Sequence, residues 1–262
     1  YTFENEFKNE EVRGEIHVNK IDKDSQDFIS QGDAKMVGAK YGLYAAEDIQ
    51  YPNKKSGTVY RKDQLVAQGQ ISGEGTIDFT DLYLGSYYVK ELEPAEGYLL
   101  DETAYPVTVD YEGQEVKIVH RYVTVKETVK KQAFQLIKIS EDGEQTETDL
   151  VEGAGFKVFL ISSLAGVKDG NLKPGNGSTY SADDFIGYDY SGDETASYYE
   201  NGKKVNVPEL FTDSTGYLSS PELPYGEYVV FESTTPENLK NVNPFIVHIT
   251  EDSREPQVWR VF

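Results

Sequence analysis

Along residues 15–21 the chain reads Glu-Ile-His-Val-Asn-Lys-Ile, which puts Ile16, Val18 and Lys20 on one side and polar residues on the other. Alternation of period two marks a strand, because successive side chains point to opposite faces. The same pattern, or a run rich in Val, Ile, Tyr and Phe, predicts strands over 40–45, 75–79, 87–92, 105–111 and 116–125. Turn signals such as Ser72-Gly73, Glu96-Gly97, Asp142-Gly143 and Asn201-Gly202 separate them. Short strands at this spacing predict an all-β chain of sandwiches. One stretch, Ser181-Ala182-Asp183-Asp184-Phe185, has the serine and the acid three residues on that open a short helix.

The pattern occurs twice. Val37-Gly38-Ala39-Lys40-Tyr41-Gly42-Leu43-Tyr44 lies over Glu152-Gly153-Ala154-Gly155-Phe156-Lys157-Val158-Phe159 at an offset of 115. Gly75, Leu82, Gly85, Tyr87 and Glu91 lie over Gly216, Leu223, Gly226, Tyr228 and Glu232 at an offset of 141, so the second copy holds 26 extra residues within about 160–215. Such self-similarity predicts tandem copies of one unit. Residues 11–127 form the first, 128–262 the second with its insert, and residues 1–10 a leader strand or the last strand of a preceding repeat. The chain starts and stops inside strand-like sequence, as a piece of a longer protein would. A chain of 262 residues has length enough for two hydrophobic cores.

Two charged residues per copy stand in line with the buried positions. Lys20 follows Ile16 and Val18, and Lys138 follows Phe134 and Leu136. Glu91 follows Tyr87 and Val89, and Glu232 follows Tyr228 and Val230. Burying either charge alone costs several kcal/mol. Its recurrence in both copies points to a use for the pair rather than to a snorkelling lysine and an edge glutamate.

Composition narrows the chemistry. The formal net charge of −21 disfavours nucleic acid and anionic membrane surfaces. With no cysteine there are no disulfides and no thiolate chemistry. The three histidines, His17, His120 and His248, are scattered, and neither a metal site nor any other cofactor is expected. No apolar run is long enough to span a membrane, and no Ser-His-Asp spacing or phosphate loop suggests an enzyme with turnover.

The segment Gly85-Ser86-Tyr87-Tyr88-Val89-Lys90-Glu91-Leu92-Glu93-Pro94-Ala95-Glu96-Gly97-Tyr98 resembles the E-box of SpaA/Cna-B-type domains, the repeat units of Gram-positive pilins and surface adhesins. Val18-Asn19-Lys20-Ile21-Asp22 and 37–44 resemble the first two strands of that family; Leu136-Ile137-Lys138-Ile139-Ser140, 153–156 and 225–237 repeat the set, without the closing Gly-Tyr. The resemblance implies tandem Ig-like sandwiches and an intramolecular isopeptide bond. Lys20 and Lys138 would be the nucleophiles, and Glu91 and Glu232 the acids that protonate and shuttle. Burial favours the neutral amine and the neutral carboxyl that this chemistry needs. Such a bond forms once per molecule, so no turnover is implied.

The acceptor departs from the family, which uses Asn or Asp on the last strand. No Asn or Asp occurs between Tyr111 and Ser140, and Glu127, in line with Val123 and Val125, stands at the acceptor position. Lys20 with its carboxylates could therefore be a crosslink or an unreacted buried ion cluster. In the second copy Trp259 and Val261 share a face, and the next inward position follows Phe262. Phe3, Asn5, Phe7 and Asn9 also share a face, so Asn5 or Asn9 could serve as acceptor for a preceding repeat.

Tyr51-Pro52-Asn53-Lys54 resembles the pilin motif joined by sortase, with its last two residues swapped. The insert mixes Asp183, Asp184, Asp189, Asp193 and Glu194 with Tyr180, Tyr188, Tyr190, Tyr198 and Tyr199. Its carboxylates could hold calcium or be merely solvated. Tyr188, Tyr190, Tyr198 and Tyr199 could stack on a glycan or host protein. The expected function is a structural stalk or adhesin module of an extracellular, cell-wall-anchored protein. It would be monomeric, with neighbouring repeats of the same chain as partners; the alternative is an adhesin that binds through the insert.

Overall fold

A computed structural model describes residues 10–140 and 149–261. They pack as two units. The first takes residues 10–21, Met36–Glu96 and Leu100–Glu127. The second takes Asp22–Lys35, Gly97–Leu99 and the described residues from Thr128 onward.

In the first unit the strands are β1 (Arg13–Asp22), β2 (Lys40–Ala45), β3 (Ile49–Gln50), β4 (Thr58–Tyr60), β5 (Leu65–Gln70), β6 (Thr76–Leu82), β7 (Gly85–Glu93), β8 (Tyr105–Val109) and β9 (Ile118–Glu127). They form a three-stranded sheet in the order β6-β1-β9, a four-stranded sheet in the order β5-β2-β7-β8, and a small β3-β4 hairpin. Burial along β1 alternates through all ten residues, so the period-two reading of 15–21 describes its true faces. Ile16 and Val18 from one sheet and Tyr41, Leu43, Tyr87 and Val89 from the other fill the core. The last strand starts and ends two residues later than the pattern predicts, at 118 and 127.

The second unit repeats the plan with β10 (Lys131–Gln132), β11 (Phe134–Lys138), β12 (Gly155–Leu160), β13 (Ser197–Glu200), β14 (Lys203–Asn206), β15 (Leu210–Phe211), β16 (Tyr217–Ser219), β17 (Leu223–Pro224), β18 (Gly226–Thr234), β19 (Phe245–Ile249) and β20 (Gln257–Val261). Its sheets run β16-β11-β20 and β15-β12-β18-β19. β11 pairs antiparallel with β16 and parallel with β20. The chain is therefore all-β, two sandwiches in tandem. The insert between β12 and β15 holds a four-residue helix, α1 (Ala165–Lys168), the β13-β14 hairpin and a short 3-10 turn over Ala182–Phe185. At that turn the Asp184 carboxylate accepts from the Ser181 N–H at 2.8 Å and from its hydroxyl at 3.0 Å, so the serine–acid pair does open a helical turn.

The two copies agree in detail. Tyr87 donates its hydroxyl to the carbonyl four residues back, at 2.6 Å, and Tyr228 does the same at 2.7 Å. Gly75 and Gly216 both adopt left-handed backbone, φ 80° and 68°. Their carbonyls accept from the N–H of Lys20 (2.9 Å) and of Lys138 (2.7 Å), which fixes each lysine at the same place in its sheet.

Candidate functional site

β1 carries Lys20 inward, β7 carries Glu91 inward, and β9 ends on Glu127, whose side chain has no exposed surface. Lys20 Nζ lies 2.6 Å from Glu127 Oε2, both side chains being fully enclosed. The Tyr41 hydroxyl on β2 donates to the other carboxylate oxygen, Oε1, at 2.7 Å. Glu91 is 3% exposed, and its Oε2 accepts from the Asp101 N–H at 2.6 Å.

Burial pushes the Glu91 carboxyl up to about 8, with the neighbouring Glu127 carboxylate adding to the shift. The Asp101 N–H and the Lys20 charge work against it. Glu91 is therefore mostly neutral at pH 7, an acid able to give and take a proton inside the core. Burial and the carboxylates of Glu127 and Glu91 raise the Tyr41 phenol far above its ordinary value, so it stays a donor.

The second unit repeats half of this arrangement. Glu232 Oε2 accepts from the Val242 N–H at 2.7 Å, ten residues along, as Glu91 does from Asp101. Lys138 Nζ is 3.7 Å from Glu232 Oε2, and burial lowers its pKa against the opposing pull of that carboxylate. Opposite Lys138 on β20 stands Val261, an aliphatic side chain, and the position aligned with Tyr41 is Phe156. The second unit thus holds a lysine and its acid, but the paired strand sets Val261 opposite Lys138, and the one amide on that strand, Gln257, stands at its other end opposite Phe134.

The remaining sequence candidates are placed as follows. Asn5 and Asn9 lie outside the described residues. Tyr190 stacks face to face on Phe231, centroids 4.2 Å apart, and also lies against Phe159. Tyr188 accepts from the Gly166 N–H and donates to Asp193. These two tyrosines line a small cluster around Phe159 and Phe185, whereas Tyr198 packs on the main core. Tyr199 lies beside Tyr198 on β13, its N–H bonded to the Gln31 side chain. The insert's acids serve its own backbone: Asp184 accepts from Gly175, Asp189 from Ser191 and Asp193 from Ala165. Asn53 caps its loop by accepting from Lys55 and Ser56. Trp259 packs on the second core, its ring 5.0 Å from Phe245.

Sequence reasoning missed two features. Tyr41 lay within a quoted motif, but its hydroxyl partner is 86 residues away, on another strand. His17 and His120, 103 residues apart, meet at 3.0 Å.

The family model of the SpaA prealbumin-like fold domain matches residues 14–123 and 132–259, most of the chain. The chain belongs to this family. Each match falls on one lysine–glutamate set, so the SpaA-type repeat and the site repeat together. Among solved structures the chain is similar to the Bacillus anthracis TIE protein, with a TM-score of 0.55 and 18% identity, over 95% of this chain and 33% of that one. The chain thus spans about a third of that protein's length. It is also similar to a C-terminal fragment of the pilus adhesin SpaC from Lactobacillus rhamnosus GG (TM-score 0.44, 14% identity, 93% and 85% covered). A third is the shaft pilin SpaA of the same organism (TM-score 0.32, 16% identity, 95% and 97% covered). No curated protein sequence matches the chain significantly.

Proposed function

We propose that this chain is a stalk segment of an extracellular, cell-wall-attached surface or pilin-like protein of a Gram-positive bacterium, and that its first SpaA-type unit crosslinks itself through Lys20 and Glu127. Its partners are neighbouring repeats of the same chain. The observation that carries the crosslink is the 2.6 Å approach of Lys20 Nζ to the enclosed Glu127 carboxyl, with a neutral acid beside it.

The reaction balances without a co-reactant. A proton passes from the ammonium to the Glu127 carboxyl, leaving a neutral amine. Nζ then attacks Cδ of Glu127, a C–N bond forms, and the C–OH bond breaks. Glu91 gives the departing hydroxyl its proton and takes one from the nitrogen, so one water leaves and an amide remains. The Tyr41 hydroxyl already donates to Oε1, where negative charge develops in the tetrahedral intermediate. Enclosure in a packed core supplies the proximity. Glutamate's extra methylene is accommodated because Glu127 closes the last strand and still reaches Lys20.

Intact-mass measurement with peptide mapping tests this. The expected result is a mass lower by one water and a Lys20–Glu127 linked peptide, both absent from Lys20→Ala and Glu91→Ala. A full mass in the wild type, with Lys20 recovered on its own peptide, would leave a buried ion cluster and remove the covalent reading.

A further inference from the structure

The outward face of the same sheet carries a second cluster of chemistry. Glu15 and His17 point outward from β1, His120 outward from the neighbouring β9, and Asp78 belongs to β6 on the other side. His17 Nε2 is 3.0 Å from His120 Nδ1 and 3.7 Å from Glu15 Oε2, and His120 Nδ1 is 3.3 Å from the same Glu15 oxygen. Among the described residues these three form a group of donors with metal-ligand spacing. Tetrahedral donors about 2.0–2.1 Å from a zinc ion stand about 3.3 Å from one another. The observed separations bracket that edge.

We propose that Glu15, His17 and His120 form a binding site for a zinc-class divalent cation, with water completing the coordination. Three further observations support the assignment. His17 Nδ1 lies 2.7 Å from Asp78 Oδ1, so a proton held there leaves the Nε2 lone pair facing the other two donors. A carboxylate behind a ligating imidazole orients such ligands in metal sites. His17 also stacks on Tyr122, ring centroids 5.0 Å apart, which fixes its plane. Finally, the His120 side chain is 49% exposed, so an ion has an entry path. Imidazole with one carboxylate suits zinc, nickel or copper better than calcium or magnesium. The net charge of −21 concentrates cations generally but cannot choose among donors; the donor geometry does. A bound ion would tie β1 to β9 from outside, across the strands that Lys20 and Glu127 join from within.

The test uses the full chain, free of any histidine tag and stripped with chelator. It is titrated with Co²⁺, followed by visible absorption, and with Zn²⁺, followed by calorimetry, both with excess Mg²⁺ to occupy non-specific carboxylates. One equivalent should bind. His17→Ala and His120→Ala should each abolish the Co²⁺ bands, and Asp78→Asn should weaken binding on the order of tenfold. His248→Ala, altered elsewhere, should bind as the wild type does. Ring nitrogen shifts of His17 and His120 in the wild type on adding Zn²⁺ read the site without any substitution. No Co²⁺ band in the wild type, unmoved His17 and His120 shifts, or binding that survives His17→Ala/His120→Ala would each overturn the site.

Discussion

Glu127 sits enclosed between a lysine ammonium and a tyrosine hydroxyl, and what it becomes depends on those neighbours. Removing one partner of a buried ion pair leaves the other charge uncompensated, which costs about 3–5 kcal/mol. Lys20→Ala should therefore lower the stability of the first unit by at least that much in urea denaturation, and by more if an amide is lost too. Tyr41→Phe should leave the fold intact, since the second unit carries Phe156 at the aligned position, but slow the crosslink. Time-resolved intact mass on newly translated protein would show the rate fall, on the order of 10²-fold for loss of one oxyanion donor. Glu91 adds a pH dependence of definite sign. Its folded pKa of about 8 exceeds its ordinary value of 4.5, so between those values the folded state holds a proton that the unfolded state has released. Stability from this group is complete below about pH 4.5 and is lost as the pH rises through about 8. Denaturation midpoints should fall across that window in the wild type, and Glu91→Gln should flatten the fall. An equally steep fall in Glu91→Gln would assign the slope to another group.

At the scale of strands, the lysines are held by backbone as much as by side-chain packing. The Gly216 carbonyl takes the Lys138 N–H, while a Cβ built on Gly216 would come within 2.6 Å of the Lys138 carbonyl. With φ at 68°, Gly216→Ala adds backbone strain to that clash. It should cost the second unit more than about 1 kcal/mol. Amide exchange at Lys138 should then speed up while the first unit's amides stay protected; unchanged exchange would mean the turn absorbs the methyl group. The same scale separates what could be read in advance from what could not. Strand faces are local, so alternation was enough to turn Lys20, Lys138, Glu91 and Glu232 inward, and in-line placement gave Glu127. Strand partners are not local. Nothing near residue 41 names Glu127, and nothing near residue 17 names His120. The first meeting comes from how the two sheets face each other, β2 lying in one and β9 in the other; the second comes from which strands lie side by side, and for His17 that neighbour is β9, with His120 103 residues on. The insert's tyrosines show the same limit. An exposed aromatic and one stacked on Phe231 read alike until the strand carrying Phe231 is in place.

For the molecule under load, what matters is where the covalent path runs. β1 opens the first unit and β9 closes it, and the β6-β1-β9 sheet sets them side by side. An amide between Lys20 and Glu127 would carry tension from one strand directly to the other, leaving the 106 intervening residues outside the loaded path. Without it, those residues are held by hydrogen bonds and packing that yield in turn. Stretching single molecules from both ends should therefore show one extension step in the wild type, from the second unit, where Val261 faces Lys138. Lys20→Ala should add a second step of roughly 350 Å, the extended length of the released segment. Glu91→Gln should give both populations if the crosslink forms slowly, and their ratio would report how much of the reaction the buried acid supplies. A wild type that already shows both steps would mean that the first unit bears force as an ordinary sandwich, with Lys20 and Glu127 acting only as an internal ion pair.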